Sequence, residues 1–423
     1  MANLSLFLSV AEPSGFWITI IRAFENVTNN YVLAVIFLTV VIKLLWTPID
    51  MFNRRNQQKM SAVQAKMQPE LDIINKKYAK DPVTLKQKQN EVYKKYNSKS
   101  MGSCFIMLLV MALNLTIFFT LFSGLNTMGA YKISESYDSI KYTYANCLNV
   151  TKHYIDNNST EIFKNYENIK YEIDLETNEI VLYNGENEID RYEYKKDFSY
   201  TTEEEIDGEI KTVTKSTNFY LNNLLDEFNK ETIEGSEETL KLTLKDAVTE
   251  SSASLIAKQY ELNKESFLWI ENIWISDSPF NQSIVSYNSY VSQIGSSNVE
   301  EGEETIYNAF MPTLQANKSR TNGYFILPIL CILASILTIF ISSKSGKNKN
   351  TQTKQNKWLL IILPLIFGIF ALFYNSVFAI YMLISQIVTA ITIPLQNLIL
   401  NAINKNKEKK EDQKIEIDYT RKF

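Results

Sequence analysis

Apolar residues are gathered into four long blocks, at residues 31–49 (YVLAVIFLTVVIKLLWTPI), 101–124, 323–342 (GYFILPILCILASILTIFIS) and 358–400. A helix needs about 20 mostly apolar residues to cross a bilayer, because hydrocarbon satisfies no open backbone hydrogen bond. The last block is long enough for two helices, with a turn at Asn375 and Ser376, so five spans are predicted. Between the first two blocks, Met60, Val63, Met67, Leu71, Ile74 and Tyr78 recur at steps of three and four, which predicts an amphipathic helix over residues 54–80. Asp81 and Pro82 supply an N-cap and a first-turn proline for a second helix carrying Leu85, Val92 and Tyr96. Upstream of the first block, Phe16, Trp17, Ile20, Ile21 and Phe24 share one helical face, which suits an interfacial helix better than a cleaved signal peptide, since residues 1–12 lack a basic start. Residues 170–215 alternate polar and apolar, with Asn184 and Gly185 as a hairpin signal, and predict antiparallel strands. From about 217 to 265 the period becomes helical, with Leu221, Leu224, Leu225 and Phe228 on one face.

Charge orients these elements. Residues 125–322 hold 17 Lys and Arg against 35 Asp and Glu, a net of −18, while the remainder of the chain is +14. Residues 50–100 hold 12 basic residues against 5 acids, and residues 343–357 hold five Lys and no acid. The positive-inside rule places both of these stretches in the cytoplasm, together with the charged tail of residues 401–423, basic from Lys405 to Lys414, and leaves residues 1–30 and the acidic insert outside. The predicted fold is thus an α-helical polytopic membrane protein. It has spans at 31–49, 101–124, 323–342 and, as a pair, 358–400, a cytoplasmic basic helical hairpin at 50–100, a cytoplasmic loop at 343–357, and an α+β extracytoplasmic domain inserted at 125–322. Within that insert, the aromatic stretch FLWIENIWISDSP is expected at the outer membrane interface, where such residues concentrate.

Chemistry is sparse by comparison. Cys104 and Cys331 lie in apolar blocks, and His153, the single histidine, has no metal-ligand spacing to Cys147, so neither a disulfide framework nor a metal site is expected. The chain has no GxxxxGK[ST] loop, no GxGxxG fingerprint and no HExxH, so an enzyme or a cofactor is not expected. Lys43 is the exception, a cation inside an apolar run. It either lines a water-filled cavity or snorkels its stem to the interface. Thr47, Asn114, Thr116, Ser385, Gln386 and Thr389 are candidates to add polarity to the same cavity, although Ser and Thr often bond their own helix backbone. On the hairpin, Arg54, Arg55, Lys59, Lys66, Lys76, Lys77, Lys94 and Lys95 either fix topology as a solvated loop or contact ribosomal RNA, anionic lipid or a nascent chain.

Several stretches carry a family resemblance. The first span with Lys43 and Pro48, the hairpin MQPELDIINKKYAKDPVTLKQKQNEVYKKYN, the entry MGSCFIMLLVM with Gly102 and Cys104, the segments SFLWIENIWISDSP and YFILPIL, and the final pair LPLIFGIFALFYNSVFAIYMLISQIV with Pro364 and Tyr381 occur in one order. In that order the sequence resembles the YidC family of membrane insertases, which includes the Oxa and Alb proteins. It departs at Lys43, where the family commonly has Arg, at Ile106 and Val110-Met111-Ala112 in the second span, and at Asn375 and Ser376 in the last turn. The resemblance implies a five-span insertase and chaperone in the bacterial cell membrane, with a hydrophilic groove around Lys43. The implied partners are nascent membrane proteins, the ribosome, the Sec translocon and anionic lipids, with no DNA. A small-solute transporter or channel is the alternative, since intramembrane polarity is common to both, but no inverted repeat and no ring of acids is visible. A ligand sensor with an external domain is a third reading.

Overall fold

The computed structural model describes residues 10–97, 101–206, 209–234, 241–344 and 359–420. Residues 345–357 of the predicted basic loop, and the side chains of Lys59 and Cys104, lie outside the described residues. The chain divides into two compact units, one of residues 15–125 and 325–423, the other of residues 1–14 and 126–324.

In the first unit, α1 (Phe16–Thr28) and α2 (Tyr31–Lys77) meet at an asparagine corner. Asn29 takes a left-handed conformation and its N–H closes on Glu25 O, while the Asn30 side chain accepts from the Leu33 amide and starts α2. Asn suits both places, because its short polar side chain tolerates positive φ and replaces a missing backbone acceptor. Ile18 and Ile21 are the buried residues of α1, while Phe16 is exposed. α2 runs unbroken for 47 residues with Pro48 and Pro69 inside it, so no break separates the first apolar block from the hairpin helix. The part of this helix from Tyr31 to Asn56 is long and apolar enough to cross a membrane, and it contains the whole of the first apolar block.

Asp81 ends the turn after α2 and caps α3 (Pro82–Asn97), accepting from the Thr84 hydroxyl at 2.6 Å and from the amides of Val83 and Thr84. Leu71 and Val92 are buried between the two helices. Glu70 accepts from Lys95 Nζ at 2.8 Å and Tyr96 Oη at 2.6 Å, and Gln89 donates to Asn75, closing a helical hairpin.

α4 (Met101–Ile155) is one continuous helix of 55 residues. Through Leu125 it belongs to this unit and carries Phe118 and Phe122 against Phe370, Tyr374 and Phe378 in edge-to-face contacts. α9 (Ile326–Lys344), α10 (Leu359–Phe373) and α11 (Ser376–Thr420) complete the unit, with α11 packed against both α9 and α2. A Cβ on Gly368 would fall 2.5 Å from Ile332 Cδ1, so glycine lets α10 approach α9 closely. α10 and α11 are separated at Asn375, whose side chain accepts from the Phe378 amide. Three described helical stretches are long and apolar enough to cross a membrane, Tyr31–Asn56, Leu108–Ile155 and Ser376–Ile403, and Ile326–Ser342 and Pro364–Phe373 are shorter apolar helices.

In the second unit the C-terminal part of α4 changes character, with Tyr137, Asp138, Lys141, Tyr144, Asn146 and Cys147 all buried. After a 3-10 turn (Thr160–Asn168) come three antiparallel strands, β1 (Ile169–Asp174), β2 (Glu179–Asn184) and β3 (Asn187–Glu193), in the order β1-β2-β3. β2 and β3 turn through Gly185 at φ +63°, which glycine adopts without steric cost. A β4 (Tyr200–Ile206) and β5 (Glu209–Lys215) ribbon follows, then α5 (Thr217–Lys230), which buries Leu221, Leu224, Leu225 and Phe228. The ribbon β6 (Thr232–Glu234) and β7 (Lys241–Thr243) interrupts the predicted helical stretch before α6 (Leu244–Asn263), whose start is held by a capping box between Thr243 and Asp246. α7 (Tyr287–Ile294) and α8 (Glu303–Lys318) complete the unit. The aromatic stretch expected at the membrane interface is partly core, with Ile270, Ile273, Trp274 and Ile275 buried while Leu268 is exposed. Tertiary packing absorbs one face of the segment.

Lys141 is buried beside Asp138 at 3.2 Å and Glu303 at 3.2 Å, and Glu303 also accepts from Tyr137 Oη and Asn218 Nδ2. Burial alone would favour a neutral amine, but the Asp138 and Glu303 carboxylates override it and hold Lys141 charged, above its ordinary value. The cluster ties α4, α5 and α8 together.

Two outcomes follow from these contacts. Lys141→Met leaves two buried carboxylates without their cation, and is expected to cost about 3–5 kcal/mol. Amide exchange of residues 126–324 in the full chain measures it, and unchanged protection would refute the assignment. At Asp81 the hydrogen bonds from Thr84 and Val83 hold the carboxyl below its ordinary 3.8. The cap is therefore fully effective above that value and is lost as pH falls through the lower folded value. Protection of the Val83 and Thr84 amides should stay constant at neutral pH and fall in that acid range, and Asp81→Ala should remove the pH dependence.

Candidate functional site

The apolar run of α2 carries its polar residues on one stripe. Lys43, Trp46, Thr47, Asp50, Asn53 and Arg54 recur at steps of three and four, which returns them to the same side of a helix of 3.6 residues per turn. All six are half-buried. The Asp50 carboxylate interacts electrostatically with both Lys43 and Arg54, so the stripe holds an alternating +, −, + series. From Lys43 to Arg54 it extends about 16 Å along the axis at 1.5 Å per residue.

Several buried polar atoms here have no hydrogen-bond partner among the described residues, namely Trp46 Nε1, Asn53 Oδ1 and Asn56 Nδ2 on α2, and Gln396 Oε1 and Asn397 Nδ2 on α11. A buried polar group without a partner costs about 1–3 kcal/mol. These atoms are carried on two helices that pack against each other, α2 and α11.

The residues singled out in the sequence fall in three places. Lys43 and Thr47 lie on α2, and Ser385, Gln386 and Thr389 lie half-buried on α11, the helix packed against it. Asn114 and Thr116 lie on an exposed part of α4. Their polar groups are largely engaged locally: Thr47 Oγ1 donates to Lys43 O, Asn114 Nδ2 to Val110 O, Thr116 Oγ1 to Ala112 O and Thr389 Oγ1 to Ser385 O. The carbonyl of Gln386 accepts from Thr338 on α9. Each of these threonines thus presents mainly its methyl group and a lone pair. The ammonium of Lys43 has no such local partner among the described residues, which makes it the dominant polar feature of the stripe.

Asp50, Trp46, Asn53, Asn56, Gln396 and Asn397 were missed by the sequence reading. Their signal in the sequence is the spacing 43, 46, 50, 53, which runs across the end of the first apolar block at residue 49.

Along the hairpin, Lys66, Lys76, Lys77 and Lys94 are exposed, Arg54 and Arg55 are half-buried, and Lys95 is tied to Glu70. That hydrogen bond holds the Glu70 carboxyl below, and the Lys95 amine above, its ordinary value. His153 pairs with Asp190 at 2.8 Å on the surface of the second unit. No group of metal-ligating side chains occurs among the described residues. A cleft of about 740 Å³ in the second unit is bordered by Lys152, Asp156, Asp226, Glu227 and Lys230, and Lys152 is paired with Asp156 and Glu227.

Comparison with known proteins agrees with the apolar architecture. The family model described as 60Kd inner membrane protein matches residues 23–160 and 248–407, and leaves residues 161–247, with β1 to β7 and α5, outside the match. A membrane protein insertase YidC of Clostridium tetani is 38% identical over 84 residues, 20% of this chain and 36% of that protein. The protein of the same name from Syntrophobacter fumaroxidans is 32% identical over 120 residues, 28% of this chain and 20% of that protein. That of Clostridium perfringens is 30% identical over 103 residues, 24% of this chain and 41% of that protein. The matched stretches span less than half the length of each relative. No solved structure matches the chain. With the family model covering well over half of its 423 residues, this chain is a membrane protein and belongs to the 60Kd inner membrane protein family, the family of the YidC, Oxa and Alb proteins.

Proposed function

We propose that the chain is a membrane protein insertase that admits short polar segments of a nascent protein into a hydrophilic groove and releases their apolar helices sideways into lipid. The observation that carries this reading is Lys43, half-buried within an apolar helix and followed toward the inner end by Asp50, Arg54 and polar atoms lacking partners. A cation at mid-membrane is tolerated where it faces water or a counter-charge. A groove that provides both lowers the cost of carrying a polar tail partway across, because the tail exchanges bulk water for groove water and a positive charge. The apolar part of the substrate then partitions into lipid, which is downhill and needs no nucleotide.

In this reading five helices cross the bacterial cell membrane, with α9 and α10 completing the bundle. The basic hairpin of α2 and α3 faces the cytoplasm, and its exposed Lys66, Lys76, Lys77 and Lys94 offer positive charge to anionic lipid or to ribosomal RNA. The acidic unit faces outward, which agrees with its net charge of −18 over residues 125–322. The named relatives are insertases, which supports the same assignment.

Insertion into liposomes holding the purified full chain tests it. For a single-span substrate with an acidic tail, Lys43→Arg is expected to keep most activity and Lys43→Ala to lose roughly ten-fold or more, the scale of about 1.4 kcal/mol of lost charge stabilisation. Thr47→Val should stay within about two-fold of the parent chain, since the Thr47 hydroxyl is spent on Lys43 O. Equal insertion by all four proteins would remove Lys43 from the mechanism.

A further inference from the structure

Asp50 is an acid on the very stripe that the groove reading makes cationic. Seven residues separate it from Lys43, two turns less about 20°, and four separate it from Arg54, one turn plus about 40°. All three side chains are half-buried, and the carboxylate feels both cations. It makes no hydrogen bond or close ion pair among the described residues, so it is held by the field of its neighbours and not by a fixed contact. Beside it lie Trp46 Nε1 and Asn53 Oδ1, buried and without partners among the described residues, and Gln396 Oε1 and Asn397 Nδ2 are in the same condition on the adjoining α11. Donors and acceptors of this kind bind water or the backbone of a guest chain. A carboxylate next to them has somewhere hydrated to go when it leaves the cations.

We propose that Asp50 sets the charge selectivity of the groove, serving as an internal counter-anion to Lys43 and Arg54 that the acidic segment of a substrate polypeptide displaces. This rests on the reading of Lys43 as a groove cation. While the groove is empty, Asp50 lowers the cost of keeping two positive charges within an apolar helix. When a substrate carboxylate arrives, it competes with Asp50 for the same cations, so a tail with one acid gains little and a tail with several acids gains more. No covalent step is involved. The occupant is an acidic polypeptide segment, and the selectivity is for the number of acids.

The test uses the purified full chain in liposomes and one single-span substrate whose tail carries either no acid or two Asp residues. The quantity read is the ratio of acidic-tail to neutral-tail insertion, in which any loss of folded protein cancels. Asp50→Asn is expected to raise this ratio about five-fold, the order expected when a screening charge is removed at an effective dielectric constant near 20. Asp50→Glu is expected to keep the ratio of the unaltered chain, because it keeps the counter-anion. An unchanged ratio in Asp50→Asn, alongside a lowered ratio in Lys43→Ala, overturns the role of Asp50 and leaves the cationic groove standing. A ratio that Lys43→Ala does not lower overturns both.

Discussion

An ammonium within an apolar helix costs about 2.5 kcal/mol or more at the centre of a bilayer unless water or an opposite charge meets it. Lys43 imposes that constraint on α2, and much of the surrounding chemistry answers to it. Asp50 supplies an anion two turns on, Arg54 restores the positive sign a turn later, and the polar atoms of Trp46 and Asn53 lie on the same stripe. α11, packed against α2, adds Gln396 and Asn397. In a water-soluble protein such a set of unsatisfied atoms would be a defect. Under the proposed insertase function they have a use, because groups already satisfied by one another have nothing to offer a guest chain.

The other helices of the first unit meet through apolar contacts. Phe118 and Phe122 on α4 wedge against Phe370, Tyr374 and Phe378, and the glycine at 368 brings α10 up to Ile332 on α9. Between lipid-embedded helices no hydrophobic gain is available, so close fit and edge-on ring contacts do the packing. The second unit is built by opposite means. Its centre contains a lysine, two carboxylates, a tyrosine hydroxyl and an amide that satisfy one another away from water. A buried ionic cluster adds little net stability but penalises any arrangement that leaves one member alone, which fixes how α4, α5 and α8 meet.

Local signals in the sequence located many of the corners. Asp81-Pro82 opens α3, Asn375-Ser376 separates the last two helices, and Asn184-Gly185 leads into the turn between β2 and β3. These are legible because a cap or a turn depends on a few neighbouring residues and on backbone geometry alone. The buried face of α5 was legible for a similar reason, since its period matches the helix. Helix continuity was not. Pro48 and Pro69 stay inside α2, and α4 passes from Leu125 to Asn126 without a break although its composition changes there. Whether a helix ends depends on what its next turn packs against, which no local pattern reports.

The sequence by itself determined where the apolar helices lie, the sign of the charge on each connecting segment, and Lys43 as the cation out of place in its surroundings. Only the tertiary structure decided which polar residues accompany that cation. It set α11 beside α2, and showed the threonine hydroxyls spent on their own backbone while Asn53, Asn56, Gln396 and Asn397 keep atoms unbonded among the described residues. It also divided the aromatic segment around Trp274 into a buried and an exposed face. Hydrophobicity is a property of each residue and can be read in order along a chain, whereas a hydrogen bond or its absence belongs to a pair of groups, and folding alone brings the pair together.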